Sequence, residues 1–408
     1  MRNCMLAVLT LTLAGCSWFS WLPWVDGKDD AKKKLKPAEL VKFDAEVSVN
    51  RVWRAGIGKG LGKKYLRLDP KILADRIYAA DGYGEIEALD RFSGKQIWRT
   101  RVGAVEKGML SAFNFLDRKD PSFVSGGVGA GAGYVFLGTT LGEVIAVSAA
   151  DGQEIWRSPV DSEVLAPPVA GGDLVFVQTI DGRLMALEED TGEIRWSIDN
   201  QVPVLTLRGT STPVYNADVV YTGFSNGMVN AVRAETGEPI WEHRVMLPEG
   251  RSELDRLVDI DGAPLVVGPV VYAVAYQGKL KALRRNDGAM LWEHDVSSFL
   301  DLSLGYGQVY VVSDGDVVTA IDQQSAEVAW TQDALQRRKL TSPVAFSNYV
   351  VVGDSEGYLH VLAQSDGRFV GRKKLDGKGL RSDMVVEDGT LYVLGNSGSL
   401  FALTIKAG

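Results

Sequence analysis

The stretch Gly182-Arg183-Leu184-Met185-Ala186-Leu187-Glu188-Glu189-Asp190-Thr191-Gly192-Glu193-Ile194-Arg195-Trp196 returns, with variations, along most of the 408-residue chain. Its skeleton is a Gly, three residues and an Ala, then an Asp/Thr-Gly turn, then a Trp about ten residues after the Ala. The Gly-x-x-x-Ala half recurs from Gly84 to Ala88, Gly142 to Ala146, Gly227 to Ala231, Gly278 to Ala282 and Gly398 to Ala402. Two copies are degraded, Asp316 to Ala320 and Gly357 to Val361. The Trp half falls at Trp98, Trp156, Trp196, Trp241, Trp292 and Trp330. Eight units at an interval of about 45 residues make a solenoid, a propeller or an array.

Local pattern selects among these. Each unit holds short runs rich in β-branched and aromatic residues, such as Leu174-Val175-Phe176-Val177 and Val309-Tyr310-Val311-Val312. Asp-Gly, Ser-Gly or Asn-Gly pairs separate them, which is hairpin chemistry. No amphipathic helical run of useful length intervenes. The expected fold is all-β: an eight-bladed β-propeller of four-stranded antiparallel blades.

The last unit has a Gly-x-x-x-Ala but no following Trp, while Trp53 stands alone before the first unit. Together they complete one blade, so the N-terminal strand is expected to join the C-terminal unit and close the ring, leaving no open sheet edge. The seventh unit carries Gly371 where Trp is expected and Val361 where Ala is expected, and its seam is predicted to be the weakest. The phrase reads as packing: Gly for the turn, Ala for close approach of strands near the axis, Trp as a wedge between blades.

The chain begins with Met1-Arg2-Asn3 and an apolar run from Cys4 to Leu13, too short to span a bilayer. That run ends in Leu13-Ala14-Gly15-Cys16, which resembles the lipobox of bacterial lipoproteins. The resemblance implies a signal peptide over residues 1–15 and acylation of Cys16, with several acyl chains giving stable anchoring. Ser17 after the Cys, in place of Asp, points to the periplasmic face of the outer membrane. Trp18, Phe19, Trp21, Leu22 and Trp24 suit a headgroup region, or are incidental to a tether. Residues 16–42 are read as a flexible, lipid-anchored linker and 43–408 as the propeller.

Composition narrows function. The only cysteines are Cys4 and Cys16, so residues 43–408 hold neither a disulfide nor a thiolate metal cluster. The formal charge is −8 and becomes −9 when Arg2 leaves with the leader; no basic stripe interrupts it, which argues against nucleic acid. His243 and His294 follow a blade Trp by two residues, and repeat-equivalent histidines read as structural.

The phrase Ala-x-x-x-x-Thr/Asp-Gly-x-x-x-Trp resembles the tryptophan-docking repeat of quinoprotein dehydrogenases, which implies the fold more than the chemistry. With the lipobox, the chain resembles the BamB family of the outer-membrane β-barrel assembly machinery. Leu205-Thr206-Leu207-Arg208-Gly209 and Asp255-Arg256-Leu257-Val258-Asp259-Ile260-Asp261 resemble that family's segments that meet the barrel-forming subunit BamA. The resemblance implies a non-enzymatic scaffold that docks on BamA and assists folding and insertion of outer-membrane proteins. Unfolded outer-membrane proteins are a further possible partner, and blade edges could receive nascent strands. A quinoprotein-like enzyme or a ligand-binding propeller is the alternative. The paired cysteines and haem-attachment motif that quinoproteins would bring are missing from this sequence, so no cofactor and no metal are expected.

The residues reach the same loops independently. In a four-stranded meander all blade-to-blade links leave from one face. Those after Trp98, Trp196 and Trp241 are expanded and should crowd one rim. If extended, Leu205 and Leu207 point the same way, with Arg208 beside them as a hot spot; core packing is the other reading. Asp259 and Asp261 belong to an acid-rich patch that could meet a basic surface, or to a solvated turn. The apolar 104–127 link either covers the channel mouth or makes a second contact.

Overall fold

The computed structural model describes residues 36–62, 66–102, 124–203, 205–207, 209–247, 251–252, 254 and 256–408. These form eight four-stranded antiparallel sheets. Blade 3 shows the plan: Val169–Gly171, Leu174–Gln178, Arg183–Glu188 and Ile194–Asp199 follow one another as first to fourth strands. Blades are numbered from the one opening at Lys71. The short first strands of neighbouring blades lie side by side around the axis. Second and third strands are buried throughout, because each blade is covered on both faces by its neighbours. Fourth strands are mostly exposed, with the Trp position turned inward.

The ring closes as expected. Blade 8 is built from Val385–Glu387, Thr390–Leu394 and Ser399–Ala407, with Val47–Gly56 as its fourth strand. Trp53 stands opposite Ala402, and pairing runs on to Val47 opposite Ala407. Eight buried apolar clusters fill the eight seams, including the one between blades 8 and 1 around Trp53, Ile77 and Tyr392.

Register explains the repeated phrase better than the sequence did. The Ala is not an axial residue. In blade 4, Tyr221, Ala231 and Trp241 lie abreast across the second, third and fourth strands. The small middle residue lets the flanking rings meet, with centroids 5.9 Å apart. The same triplet recurs as Tyr78-Ala88-Trp98, Phe136-Ala146-Trp156, Phe176-Ala186-Trp196, Tyr272-Ala282-Trp292, Tyr310-Ala320-Trp330 and Tyr392-Ala402-Trp53. Each indole N–H then donates across the seam to a carbonyl of the next blade, at 2.8 to 3.0 Å. The ring also rests on that blade's turn: a Cβ on Gly237 (φ 73°) would lie 2.8 Å from Trp196. This Gly serves both its left-handed backbone and the close approach.

Blade 7 shows why its Trp is missing. The turn that receives a Trp joins third and fourth strands, and in blade 8 those strands are the two chain termini. Blade 7 accordingly replaces the triplet with Val351, Val361 and Gly371. Val47 fills the space, 2.7 Å from where a Cβ on Gly371 would stand. The seam expected to be weakest is filled by Val47, Val49, Phe346, Met384 and Phe401.

Links and second-to-third turns share one face, joined by a recurring latch. Ile57, Val102, Val160, Asn200, Val245 and Leu375 each donate a backbone N–H to the turn Gly of their own blade. Of the segment read as linker, residues 36–42 are described and lie on blade 7. The Lys36, Ala38 and Val41 carbonyls accept from Arg337, Arg338 and Arg372. Phe43 stacks on Phe369 at 5.5 Å, and Glu46 pairs with Arg368.

Candidate functional site

The link face carries a funnel at the axis. Leu66 and Arg67 from the 8-to-1 link, Leu165, Leu207, Asp261 and Phe299 from four further links enclose about 370 Å³. The described parts of the enlarged connections after Trp196 and Trp241 therefore gather on one side. The 8-to-1 link, which carries no copy of the repeated phrase, puts Arg67 in the funnel, with its guanidinium 5.8 Å from the Phe299 ring.

The predicted segments meet here. Leu205 is 41% exposed, and Leu207 lies on the funnel wall; neither belongs to the core. They are not in an extended strand, because the Gly209 N–H donates to the Leu207 carbonyl at 2.9 Å. Asp259 is only 2% exposed and cannot present its carboxylate to a partner. It acts from beneath: its side chain accepts from the backbone N–H groups of Leu207 and Ile260. Its own carbonyl accepts from Tyr276 N–H at 2.7 Å, in a bridge that ties the loop to blade 5. Asp261 lies against Gly209, where a Cβ would come within 2.4 Å of its carboxylate. The acid-rich patch read from the sequence is thus a buried support at Asp259, while Asp261 is part-exposed on the funnel wall. Arg208, Glu253, Asp255, Cys16 and most of the 104–127 link lie outside the described residues.

Electrostatics follow from that burial. Asp259 and Asp261 are hydrogen-bonded to each other, and desolvation pushes both well above the usual carboxyl range. Mutual repulsion adds to the shift of Asp259, while Arg67 opposes that of Asp261. A proton shared within the pair relieves two carboxylates that share one site.

A belt of similar groups continues around the axis. Ala263 N–H donates to Asp301 at 2.8 Å, Asp301 N–H to Ser342 Oγ at 3.1 Å, and Ser342 N–H to Asp383 at 3.2 Å. Asp383 N–H in turn donates to Asp69 at 2.6 Å. Each acceptor stands two residues before a first strand and ties its blade to the preceding one. Burial, then the Asp383 charge, pushes Asp301 up to about 7 and raises Asp69 too, with Arg67 opposing. The sequence held a signal for this belt, Asp or Ser recurring at that position, which the Gly-Ala-Trp phrase overshadowed.

The histidines are structural in placement. His360 is fully buried between Asp354 and Arg372, at 2.8 and 3.1 Å. His243 is part-buried, and burial lowers its pKa. In the funnel Ser125 Oγ donates to the Val164 carbonyl at 2.7 Å while Thr210 Oγ1 is buried without a partner, and no cluster of three or more metal-ligating side chains occurs among the described residues. This donor set does not fit the metal-and-quinone centre of a quinoprotein.

Together these features define an eight-bladed propeller of the quinoprotein-like repeat class. A family profile described as "Outer membrane protein assembly factor BamB" matches residues 106–332 and 314–408. The chain is 42% identical to the BamB of Pseudomonas aeruginosa over 99% of both chains. It is 35% identical to that of Escherichia coli over 97% of both. The crystal structure of BamB from Moraxella catarrhalis superposes with a TM-score of 0.77 at 28% identity, over 88% of this chain and 100% of that one. Quinohemoprotein alcohol dehydrogenase from Comamonas testosteroni, at 14% identity and a TM-score of 0.67 over 87% of this chain and 76% of that one, shares the fold. The chain belongs to the BamB family.

Proposed function

We propose that this protein is a non-enzymatic scaffold of the outer-membrane β-barrel assembly machinery that docks on BamA through its link face. It assists folding and insertion of outer-membrane proteins by positioning the machine, not by chemistry. Acylation of Cys16 holds it on the periplasmic face of the outer membrane. Leu205, Leu207 and Arg208 make the contact, and Asp259 and Asp261 hold their loop in shape.

One observation carries this reading: an exposed Leu205 on a loop whose backbone is held from below by a buried carboxylate of the next link. A few aliphatic anchors on a pre-shaped loop are what a protein hot spot needs. Membranes from cells making Leu205→Ala with Leu207→Ala should yield much less co-purified BamA, with the melting temperature of the variant nearly unchanged. BamA recovery equal to wild type would refute the docking site. A quinone-loading assay tests the enzyme alternative: cofactor uptake with dye-linked alcohol oxidation would displace the scaffold reading.

A further inference from the structure

The link face is not uniform in charge. Opposite the 205–209 loop, across the axis, three consecutive links bring basic side chains together. Arg67, Lys339, Lys378 and Arg381 line one shallow cavity of about 230 Å³. Arg337 stands two residues before Lys339, and Lys59 lies in the 8-to-1 link beside the turn that also touches Lys378. Lys59, Arg337, Lys339 and Lys378 are all exposed, on a chain whose formal charge is −8.

Asp314 and Asp316 line the same cavity, and these and the other nearby carboxylates are turned onto the protein's own donors. Asp316 accepts from the backbone N–H groups of Lys339 and Leu340, at 2.9 and 2.8 Å. Asp376 accepts from Lys378 N–H and Ser397 N–H. Asp314 accepts from Ser297 Oγ, and Glu356 pairs with the buried Arg338. The Lys339 and Lys378 ammonium groups, by contrast, have no hydrogen bond or ion pair among the described residues.

The N-terminal segment ends in this sector. From Glu46 it crosses blade 7 toward the link face, where Ala38 N–H donates to the Gln336 carbonyl and Arg337 donates to Lys36. Whatever precedes Lys36 therefore departs from among these basic residues. The sequence just upstream adds Lys32, Lys33 and Lys34, and the chain from Cys16 to Lys36 reaches at most about 70 Å when fully extended.

We propose that Lys59, Arg337, Lys339 and Lys378 form a seat for an anionic lipid surface, so that the ring rests this edge on the membrane. The opposite half of the same face is left for the protein partner. The proposal rests on the reading of Cys16 as a lipid anchor. A membrane is the occupant chosen because the chain end that would be tied to it leaves from within the basic sector. Juxtamembrane lysines act through the negative surface potential, an attraction that salt screens.

The test uses the mature full chain with Cys16→Ser, so that no acyl chain contributes to binding. Sedimentation with vesicles containing phosphatidylglycerol at low salt should retain it, and pure phosphatidylcholine vesicles should not. Lys339→Gln with Lys378→Gln should weaken retention by roughly ten- to thirtyfold at an unchanged melting temperature. Lys95→Gln, exposed in a third-to-fourth turn on the other face, should leave retention unchanged. Equal binding to both vesicle types, or no loss in the double variant, overturns the proposal. So does loss confined to substitution of Lys32, Lys33 and Lys34. Loss of a co-purifying acidic protein with vesicle binding intact would assign the sector to a protein, and also overturns it. Acylation is read separately by palmitate labelling of the Cys16 chain, so failure of the anchor and failure of the seat are distinguishable.

Discussion

At the residue scale, one position carries opposite demands in different blades. Ala231 is small because Tyr221 and Trp241 close over it, whereas Val361 is larger because Val351 and Gly371 flank it. Ala231→Leu should therefore force the rings apart and cost about 1–3 kcal/mol by overpacking. Val361→Ala should cost about 1–3 kcal/mol by leaving a cavity in a seam without a Trp to fill it. Urea unfolding of both variants checks the pair; a neutral Ala231→Leu would contradict the packing account. Asp259 offers a second residue-level test, since its carboxyl serves the Leu207 N–H. Asp259→Asn keeps an acceptor there and should preserve BamA recovery. Asp259→Ala leaves a buried donor unpaired, costs about 1–3 kcal/mol, and should reduce that recovery.

At the scale of elements, the N-terminal segment behaves as a strap. Phe43 stacks on Phe369, the Arg372 guanidinium lies against both rings, 4.9 Å from Phe43 and 5.1 Å from Phe369, and Arg372 also holds the Val41 carbonyl. Ring stacking and the cation–π contact together are worth about 2 kcal/mol. Phe43→Ala should thus raise local opening of residues 36–46 about tenfold or more, read by amide exchange, while blades far from it keep their protection. Unchanged exchange would show that the backbone bonds alone hold the strap. The strap also marks what the sequence left illegible. Blade number, the Ala and Trp positions and the closing strand were readable, because each follows from a local phrase that repeats; the Tyr or Phe that completes each triplet shows only in the register. The strap, the place of Arg67 in the funnel and the burial of Asp259 were not, because they arise between links that are hundreds of residues apart or that obey no period. Leu205 and Leu207 were placed on the link face, where they lie, but the extended form read for them gives way because the Gly209 turn bends the chain there.

At the scale of the whole molecule, ring closure turns eight marginal sheets into one body, and the belt at the axis is where closure meets charge. Asp301 accepts from Ala263 and faces Asp383 and Arg67 in a desolvated setting that pushes it up to about 7, from an unfolded value near 4. A raised carboxyl binds its proton more tightly in the folded chain. Its stabilising contribution is therefore complete below the unfolded value and is lost as pH rises through the folded one. His243 and His360, held below their usual value by burial, act in the opposite sense as pH falls, so variant and parent must be compared at each pH. Asp301→Asn cannot titrate and retains a carbonyl that accepts from Ala263. Relative to the parent, it should gain in melting temperature as pH rises from about 5 to 8, where the parent loses this contribution. A constant offset between the two across that range would mean that Asp301 is ionised throughout and that the belt holds the blades without sensing protons.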